Sequence, residues 1–254
     1  MSEARDGQVT CEVADGVARI VLDRPAKHNA ITREMTAELS RVCAAVDGDE
    51  SARVVLISGA GERAFSAGSD MNELADLTDL WAFRNRIDYA AVVRDMRKPV
   101  VAALQGWVLG GGLEIALGSD IRIASDTTEL GAPEVTHGWI GGGGGTQMLP
   151  RLVGYGQAMR LLLSGERVAA AEAQAMGLVD EVVPQADLQT RARSLAARIA
   201  AHDPVATQSA KAAVRAALSL PLEDGIRYEN ELHTICMSGA TRGDGIAAFQ
   251  KRKD

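Results

Sequence analysis

Cysteine is scarce in this sequence, and the three cysteines are far apart. Cys11, Cys43 and Cys236 form no C-x-x-C pair and are odd in number, so they do not predict a disulfide framework. We expect them to be reduced thiols of an intracellular protein. The four histidines show neither an H-E-x-x-H motif nor another ligand spacing, which argues against a structural or catalytic metal.

Long hydrophobic runs and an excess of positive charge are also missing. No stretch approaches the roughly 18 continuous apolar residues of a membrane span, and residues 1–7 lack the apolar core of a signal peptide. The formal net charge of −7 disfavours nucleic acid or an anionic membrane as the main partner. An anionic ligand stays possible, because a few cations and backbone amides can hold phosphates. We expect a soluble, cytoplasmic protein.

The first half of the chain alternates between strand and helix patterns. Two β-rich runs around residues 14–16 predict a hairpin. Apolar residues at helical spacing over 31–46 then predict a helix with Thr32 as its N-cap. Short apolar runs predict strands at 53–58, 100–106 and 121–125. A further helix is expected from about Trp81 to Arg97, ending before a proline.

From Thr146 onward helical patterns dominate, and no strand is expected between them. The predicted helices cover 146–152, 157–163, 169–176, 189–201, 205–218 and 222–236. Helices in that number form a layer packed on the sheet or an interface with other subunits.

Two glycine-rich segments resemble nucleotide-binding loops only in part. Residues 59–64 match G-x-G-x-x-A after a strand, but another glycine turn follows where the dinucleotide fold needs a helix. A tight loop is the favoured interpretation. Gly141 to Gly145 resemble a phosphate loop, yet Thr146 stands where the lysine of such a loop belongs. ATP chemistry is therefore disfavoured, and a structural turn and a ligand contact both remain open.

A third glycine run, Gly110 to Gly112, lies between a strand and a short apolar helix. Backbone amides at the positive start of a helix can hold a developing oxyanion. Glu114 falls in the first turn of that helix. Its carboxylate can take part in catalysis, or it can complement the helix dipole or face solvent.

Six blocks of the chain, in order, resemble successive blocks of the crotonase (enoyl-CoA hydratase/isomerase) family. The blocks are RPAKHNAI, AFSAGSDM, QGWVLGGGLEIALGSDIRIAS, LGAPEVTHGWIGGGGGTQMLPRLVG, LLLSGERVAAAEAQAMGLVDEVVP and GIAAFQKRK. The resemblance covers nearly the whole chain. It implies an α/β fold, a crotonase-like spiral of ββα units with a helical C-terminal region. We accordingly expect a spiral core over 1–190 and a helical oligomerisation region over 191–254, in a homotrimer or homohexamer.

The resemblance also implies an activity. The family's two catalytic glutamates fall on Glu114 and Glu134, and hydratases keep both. Syn addition of water needs a base that activates water and an acid that protonates the α-carbon. We predict an enoyl-CoA hydratase of fatty acid metabolism in which Glu134 moves the α-carbon proton and Glu114 holds the water. Two carboxylates in a dry pocket should titrate as a coupled pair.

The remaining site residues follow from the same blocks. The family's oxyanion hole maps onto the backbone amides of Ala67 and Gly111. The predicted acyl-CoA-binding residues are Lys27, His28, Ala67, Gly68, Ser69, Asp70 and Gly111. Phe249 and Lys251 are the nearest candidates for a C-terminal aromatic and lysine that reach CoA. No cofactor is expected, because CoA is part of the acyl-CoA substrate.

Some positions depart from the family pattern. Gly141 and Met148 stand where relatives usually have proline and arginine, so the acyl preference is open. Trp139 and His137 could shape the pocket, although core packing or surface exposure is favoured for both. Trp81 and Phe83 could line the acyl pocket, but their helical spacing favours the core.

Other functions compete with hydration. The nearest is another crotonase reaction, either double-bond isomerisation or dehydration of a specialised hydroxyacyl-CoA. A binding protein that has lost its chemistry is disfavoured by the pair of glutamates. A nicotinamide oxidoreductase would need the loop at residues 59–64 to bind a dinucleotide.

Overall fold

The hairpin predicted around residue 15 begins the larger of two sheets. The structure, a computed structural model, describes residues 7–239 and Gly243. Strand β1 (Gln8–Ala14) pairs antiparallel with β2 (Val17–Asp23). The turn between them has positive φ at both Asp15 and Gly16, as the hairpin geometry requires.

Ten strands in the described residues form two sheets. The other eight are β3 (Val54–Gly59), β4 (Ala64–Ser66), β5 (Val100–Leu104), β6 (Trp107–Leu109), β7 (Ile121–Ser125), β8 (Glu129–Gly131), β9 (Arg167–Ala169) and β10 (Glu181–Val183). The larger sheet has the order β1-β2-β3-β5-β7-β10 and is parallel from β2 onward. The smaller has the order β4-β6-β8-β9, with only β8–β9 antiparallel.

The α-helices of the described residues surround these sheets. They are α1 (Arg33–Gly48), α2 (Met71–Ala75), α3 (Leu80–Arg84), α4 (Tyr89–Arg94), α5 (Gly111–Gly118), α6 (Gly145–Val153), α7 (Tyr155–Ser164), α8 (Ala170–Ala175), α9 (Leu188–Ala200), α10 (Pro204–Ala216) and α11 (Leu222–Ser238). The predicted N-cap of the first is confirmed, since the Thr32 side chain accepts a hydrogen bond from the Met35 amide at 3.1 Å.

Each face of the larger sheet is covered by helices. Helices α1, α4 and α5 contribute to the main apolar core on one face. Helix α9 packs on the other through four small or apolar residues spaced four apart, Leu188, Ala192, Ala196 and Ala200. Residue 190 lies inside this helix, and the division of the chain into regions 1–190 and 191–254 stays a prediction.

The single helix predicted over 81–97 is wrong. The segment instead forms the two short helices α3 and α4. Asp79 caps the first, and Asp88 caps the second by accepting from the amides of Ala90 and Ala91. An aspartate in the middle of a helical pattern competes for the backbone amides and starts a new helix.

The expectation of helices alone after residue 146 is also wrong. β9 extends the smaller sheet beside β8, and β10 completes the larger one beside β7. Each has three residues, which is too short to show the alternation of a strand in the sequence.

The loop after β3 leads into strand β4 and not into a helix. A dinucleotide-binding turn needs a helix start at that point, so the tight-loop interpretation of residues 59–64 is confirmed. Within the described part of the chain, no helix combines the length and apolarity needed to span a membrane.

Candidate active site

The glycine run between β6 and α5 forms a tight helix start. Gly110 is the N-cap, with φ 54° and ψ −123°, a conformation that favours glycine. A Cβ atom on Gly111 would lie 1.7 Å from the Tyr89 hydroxyl oxygen, so a larger residue there would force Tyr89 to move. Amides in the first turn of a helix have no intrahelical acceptor and lie at its positive end. The Gly111 amide is therefore a donor available at this point.

Glu114 is buried, with only 7% of its surface exposed, so it does not face solvent. Its Oε1 atom accepts hydrogen bonds from the amides of Gly143 at 2.7 Å and Gly145 at 3.0 Å. The glycine loop is thus a cradle for this carboxylate. A Cβ on Gly143 would lie 2.6 Å from Oε2 of Glu114, which explains why the loop needs residues without side chains.

Glu134 faces the same space from a short 3-10 helix, Pro133–His137. A Cβ built on Gly141 would lie 2.6 Å from Oε1 of Glu114 and 3.4 Å from Oε1 of Glu134. The two carboxylates therefore flank one point beside the glycine loop. The Oε2 atom of Glu134 is buried and has no hydrogen-bond partner among the described residues. A carboxylate oxygen in that state is positioned to meet a ligand.

Burial raises the pKa of both glutamates. For Glu114 the nearby charge of Glu134 adds to this increase, and the amides of Gly145 and Gly143 oppose it. For Glu134 the loss of solvation is again the largest cause. Raised values suit carboxyl groups that exchange protons with a substrate near neutral pH.

A cavity of about 420 Å³ joins these parts. It is lined by both glutamates and by Ala67, Ser69, Tyr89, Gly110 and Gly111. The structure thus brings together five of the predicted site residues, Glu114, Glu134, Gly111, Ser69 and Ala67.

The predicted amide donor at Ala67 does not fit this geometry. Its N–H donates to the backbone oxygen of His28 at 3.0 Å, so it is already engaged. Among the described residues, the N–H groups of Ser69 and Gly111 have no acceptor. Both residues line the cavity. The available pair is therefore Ser69 and Gly111. Gly111 is the predicted donor, and Ser69 lies two residues after the predicted Ala67 in the same sequence block.

Three other predicted CoA-binding residues lie outside the cavity. Lys27 is in a short 3-10 helix, and the His28 ring lies 4.7 Å from the Trp107 ring. The Gly68 oxygen accepts from the Ile31 amide at 2.7 Å. None of these three lines the 420 Å³ cavity.

Asp70 has a structural role in this arrangement. Its Oδ2 atom forms a buried ion pair with Nη1 of Arg24 at 2.6 Å, and its Oδ1 atom caps helix α2. The hydrogen bond from Arg24 lowers the pKa of Asp70. Asp70 does not line the cavity of the two glutamates, but it lines a second, outer cavity.

This outer cavity, of about 410 Å³, adjoins the first. The residues that line both cavities are Ser69, Leu74, Leu77, Phe83, Arg86 and Tyr89. Neither Tyr89 nor Arg86 was predicted as a site residue from the sequence. No motif marks them, because both lie in the segment 81–97 that was predicted as one helix: Arg86 between α3 and α4, and Tyr89 at the start of α4.

The aromatic residues divide between the cavity and the surface. Phe83 lines both cavities, while Trp81 is 70% exposed, so the core placement favoured for Trp81 is wrong. Trp139 is 42% exposed and stacks on His137 at 5.2 Å. Both of these residues also line the inner cavity.

In the parts of the chain that the structure describes, no group of three His, Cys, Asp or Glu side chains is arranged to hold a metal ion. Phe249 and Lys251, the predicted C-terminal contacts to CoA, lie outside the described residues.

The fold and the cavity define a class of protein. Two sheets, a glycine-rich helix start and two facing glutamates form the arrangement expected of a crotonase-like protein. Residues 12–254 match the family described as enoyl-CoA hydratase/isomerase. The chain belongs to the enoyl-CoA hydratase/isomerase family.

Individual relatives agree with this assignment. The chain is 39% identical over 247 residues to an (E)-benzylidenesuccinyl-CoA hydratase of Thauera aromatica, with 96% of each chain covered. It is 35% identical over 249 residues to a short-chain-enoyl-CoA hydratase of Clostridium acetobutylicum, covering 96% of this chain and 95% of the relative. The crystal structure of an enoyl-CoA hydratase from Bacillus anthracis has a TM-score of 0.92 at 34% identity, with 96% of each chain covered.

Proposed function

We infer that this chain is an enoyl-CoA hydratase, which adds water across the 2,3-double bond of an enoyl-CoA thioester. One observation carries the proposal: Glu114 and Glu134 face one point in a cavity that also contains the free amide of Gly111. A pair of carboxyl groups supplies the base and the acid that hydration requires. The amide supplies the group that stabilises the intermediate enolate.

The thioester oxygen is held by the amides of Gly111 and Ser69. As water adds, negative charge develops on this oxygen, and two fixed donors stabilise it more than they stabilise the ground state. Removing one such donor costs about 3–4 kcal/mol of transition-state stabilisation. The positive end of helix α5 acts in the same direction.

The two glutamates divide the proton transfers. Glu114, oriented by the amides of Gly143 and Gly145, accepts a proton from water as the water oxygen bonds to C3. Glu134, with its buried and unpartnered Oε2 atom, donates a proton to C2. The two groups then exchange the proton directly or through solvent, and the pair returns to its starting state.

The CoA part of the substrate lies outside the inner cavity in this proposal. Lys27 and His28 are proposed to contact it, because they stand beside the segment that leads to Ser69. CoA is part of the substrate, and the proposed reaction uses no cofactor. The acyl groups in the relatives' names, benzylidenesuccinyl and short-chain enoyl, differ widely, so acyl specificity must come from this chain's own residues.

We also propose that the chain assembles as a homotrimer or homohexamer. Helices α10 and α11 expose large apolar side chains, at Val214 (71%), Leu222 (75%) and Ile235 (53%). Apolar surface of this kind favours subunit contact. Light scattering on the purified protein measures the assembly.

A cytoplasmic location and a role in fatty acid metabolism are part of the proposed function.

The test is hydration of crotonyl-CoA, which is measured as the loss of absorbance of the conjugated thioester. Glu114→Gln and Glu134→Gln should each lower the rate by at least about a hundredfold. Glu172→Gln is a matched control, because this glutamate lies on the exposed surface of α8. Each variant is first checked by circular dichroism, so that a loss of folding is recognised.

Three outcomes contradict the proposal. Near-normal turnover in either glutamine variant would exclude the paired role. Failure to hydrate a series of enoyl-CoA lengths, together with activity on a 3-enoyl-CoA, would instead favour isomerisation. Saturation by CoA that raises the melting temperature without turnover of any acyl-CoA would favour a binding protein.

A further inference from the structure

Arg86 is a cation with unused donors beside the catalytic cavity. It lies between α3 and α4 and lines both the inner and the outer cavity. In the described part of the chain, it is the only lysine or arginine that lines the inner cavity. The other inner-cavity residues near it are largely apolar, including Leu74, Leu77 and Phe83.

The guanidinium group is held in place by its own segment. Its centre lies 4.0 Å from the centroid of the Phe83 ring, and Nη1 donates to the Phe83 backbone oxygen at 2.9 Å. On the far side, a Cβ on Gly142 would lie 2.9 Å from Nη2. The side chain therefore reaches from the α3–α4 segment to the glycine loop that cradles Glu114.

No carboxylate within the described residues lies within 4.0 Å of the guanidinium nitrogens of Arg86. Three of the neighbouring acidic groups have other partners. Asp70 pairs with Arg24, Glu73 accepts from the Arg33 amide, and Asp79 caps α3. The Nε and Nη2 groups of Arg86 thus remain available as donors.

We propose that Arg86 selects enoyl-CoA substrates whose acyl group carries a second carboxylate. A planar guanidinium presents paired N–H groups that match the two oxygens of a carboxylate. Arg86 lines the cavity that contains Glu114 and Glu134, where the reacting acyl group lies in the proposed function, so the proposal places the anion on the acyl part of the substrate. This inference rests on the proposed hydratase function.

An uncharged acyl group leaves the same guanidinium without an anion. Neither catalytic glutamate supplies one, since Glu114 is engaged by backbone amides of the glycine loop and Oε2 of Glu134 has no hydrogen-bond partner among the described residues. Arg86 is exposed, so water solvates its guanidinium when the acyl group is uncharged, and a carboxylate on the acyl group gains a charge-assisted, bidentate pair that the uncharged group lacks. The expected signature is a preference between substrates that depends on Arg86.

The experiment compares acyl groups of equal length with and without a terminal carboxylate. One pair is 2,3-dehydroadipyl-CoA and 2-hexenoyl-CoA, and a shorter pair is glutaconyl-CoA and 2-pentenoyl-CoA. In the unaltered protein, kcat/KM should favour the carboxylated member of at least one pair by about tenfold or more. Arg86→Gln should reduce that ratio to near one, and Arg86→Lys should restore part of it.

Arg84→Gln is the matched control. Arg84 is two residues away, but its guanidinium stacks on Trp81 and it lines neither cavity. The ratio in this variant should equal that of the unaltered protein. Equal kcat/KM for both members of both pairs in the unaltered protein overturns the proposal. An equal loss on both members in Arg86→Gln also overturns it and assigns Arg86 to the CoA phosphates.

A binding measurement separates this proposal from the hydratase function. Calorimetry with the saturated analogues adipyl-CoA and hexanoyl-CoA needs no turnover. Tighter binding of adipyl-CoA that is lost in Arg86→Gln supports the carboxylate site even if no enoyl-CoA is hydrated. Equal binding of both analogues overturns the carboxylate site even if hydration of uncharged enoyl-CoA is observed.

Discussion

The hydroxyl oxygens of Tyr89 and Ser69 lie 2.8 Å apart. This hydrogen bond joins helix α4 to the segment whose Ser69 amide is a free donor in the cavity. Loss of solvation raises the pKa of Tyr89 to about 12, so the phenol keeps its proton at neutral pH. The Tyr89 side chain also packs directly on Gly111, the other proposed donor. One tyrosine therefore contacts both residues that are proposed to hold the thioester oxygen.

Tyr89→Phe removes this hydrogen bond and keeps the ring. A net hydrogen bond contributes about 1 kcal/mol, which corresponds to about a fivefold change in rate. We expect kcat for enoyl-CoA hydration to fall by about that factor, with KM nearly constant, because the bond positions an oxyanion donor. Steady-state kinetics measure both constants. Tyr155→Phe is the control, since Tyr155 is 74% exposed and lines neither cavity. Unchanged kcat in Tyr89→Phe would show that the contact serves packing alone.

Gly143→Ala tests the cradle of Glu114. The new methyl group would lie 2.6 Å from Oε2 of Glu114 and 2.9 Å from Cβ of Ala90, so the carboxylate must move. A catalytic group displaced by about 1 Å can cost on the order of a hundredfold in rate. We expect that loss in kcat/KM, with folding preserved in circular dichroism.

The control for this substitution is Gly156→Ala. Gly156 lies in helix α7, and a Cβ there has no neighbour within 4 Å. Alanine in an exposed helix should stabilise the protein by up to about 1 kcal/mol and leave the rate unchanged. Equal activity of the two variants would contradict the proposed role of the glycine loop.

The rate of hydration should depend on pH through the two glutamates. Glu114 must be ionised to accept a proton, so activity is lost as pH falls through its pKa. Burial raises that pKa above the ordinary value of 4.5, and the acidic limb of log kcat/KM should lie above it. Glu134 must be protonated to act as the acid, so activity is also lost as pH rises through its raised pKa.

A pH profile of kcat/KM on crotonyl-CoA measures both limbs. They report the coupled pair, because each carboxyl influences the other. An acidic limb at or below the ordinary glutamate value would contradict the burial of Glu114 as the cause of the shift. A profile without an alkaline limb below the range of tyrosine would contradict a protonated glutamate as the acid.

Much of the fold and part of the site were readable from local sequence. The hairpin at residue 15, the cap at Thr32 and the glycine-started helix α5 depend on turn chemistry and short-range hydrogen bonds, which local sequence encodes. The resemblance to the crotonase family supplied the two glutamates and the Gly111 amide. Each of these residues stands in a short block of consecutive residues that can be recognised without knowing the rest of the fold.

The errors occur where long-range contacts decide. β9 and β10 are three-residue strands that exist because β8 and β7 offer them unpaired edges. The Ala67 amide is unavailable because it meets the backbone of His28, far away in the sequence. The break between α3 and α4 is the exception, because it depends on a local contact, the cap at Asp88, which competes with a continuous helical pattern.

The sequence by itself determined which chemical groups are present: two glutamates, glycine-rich turns and amides at a helix start. Only the tertiary structure decided which of them meet. It placed Glu114 in a cradle of amides from residues 143 and 145, and it brought Tyr89 and Arg86 to the same cavity. The physical reason is that backbone and side-chain hydrogen bonds between distant segments depend on the packing of the sheets and helices, which local propensity does not encode.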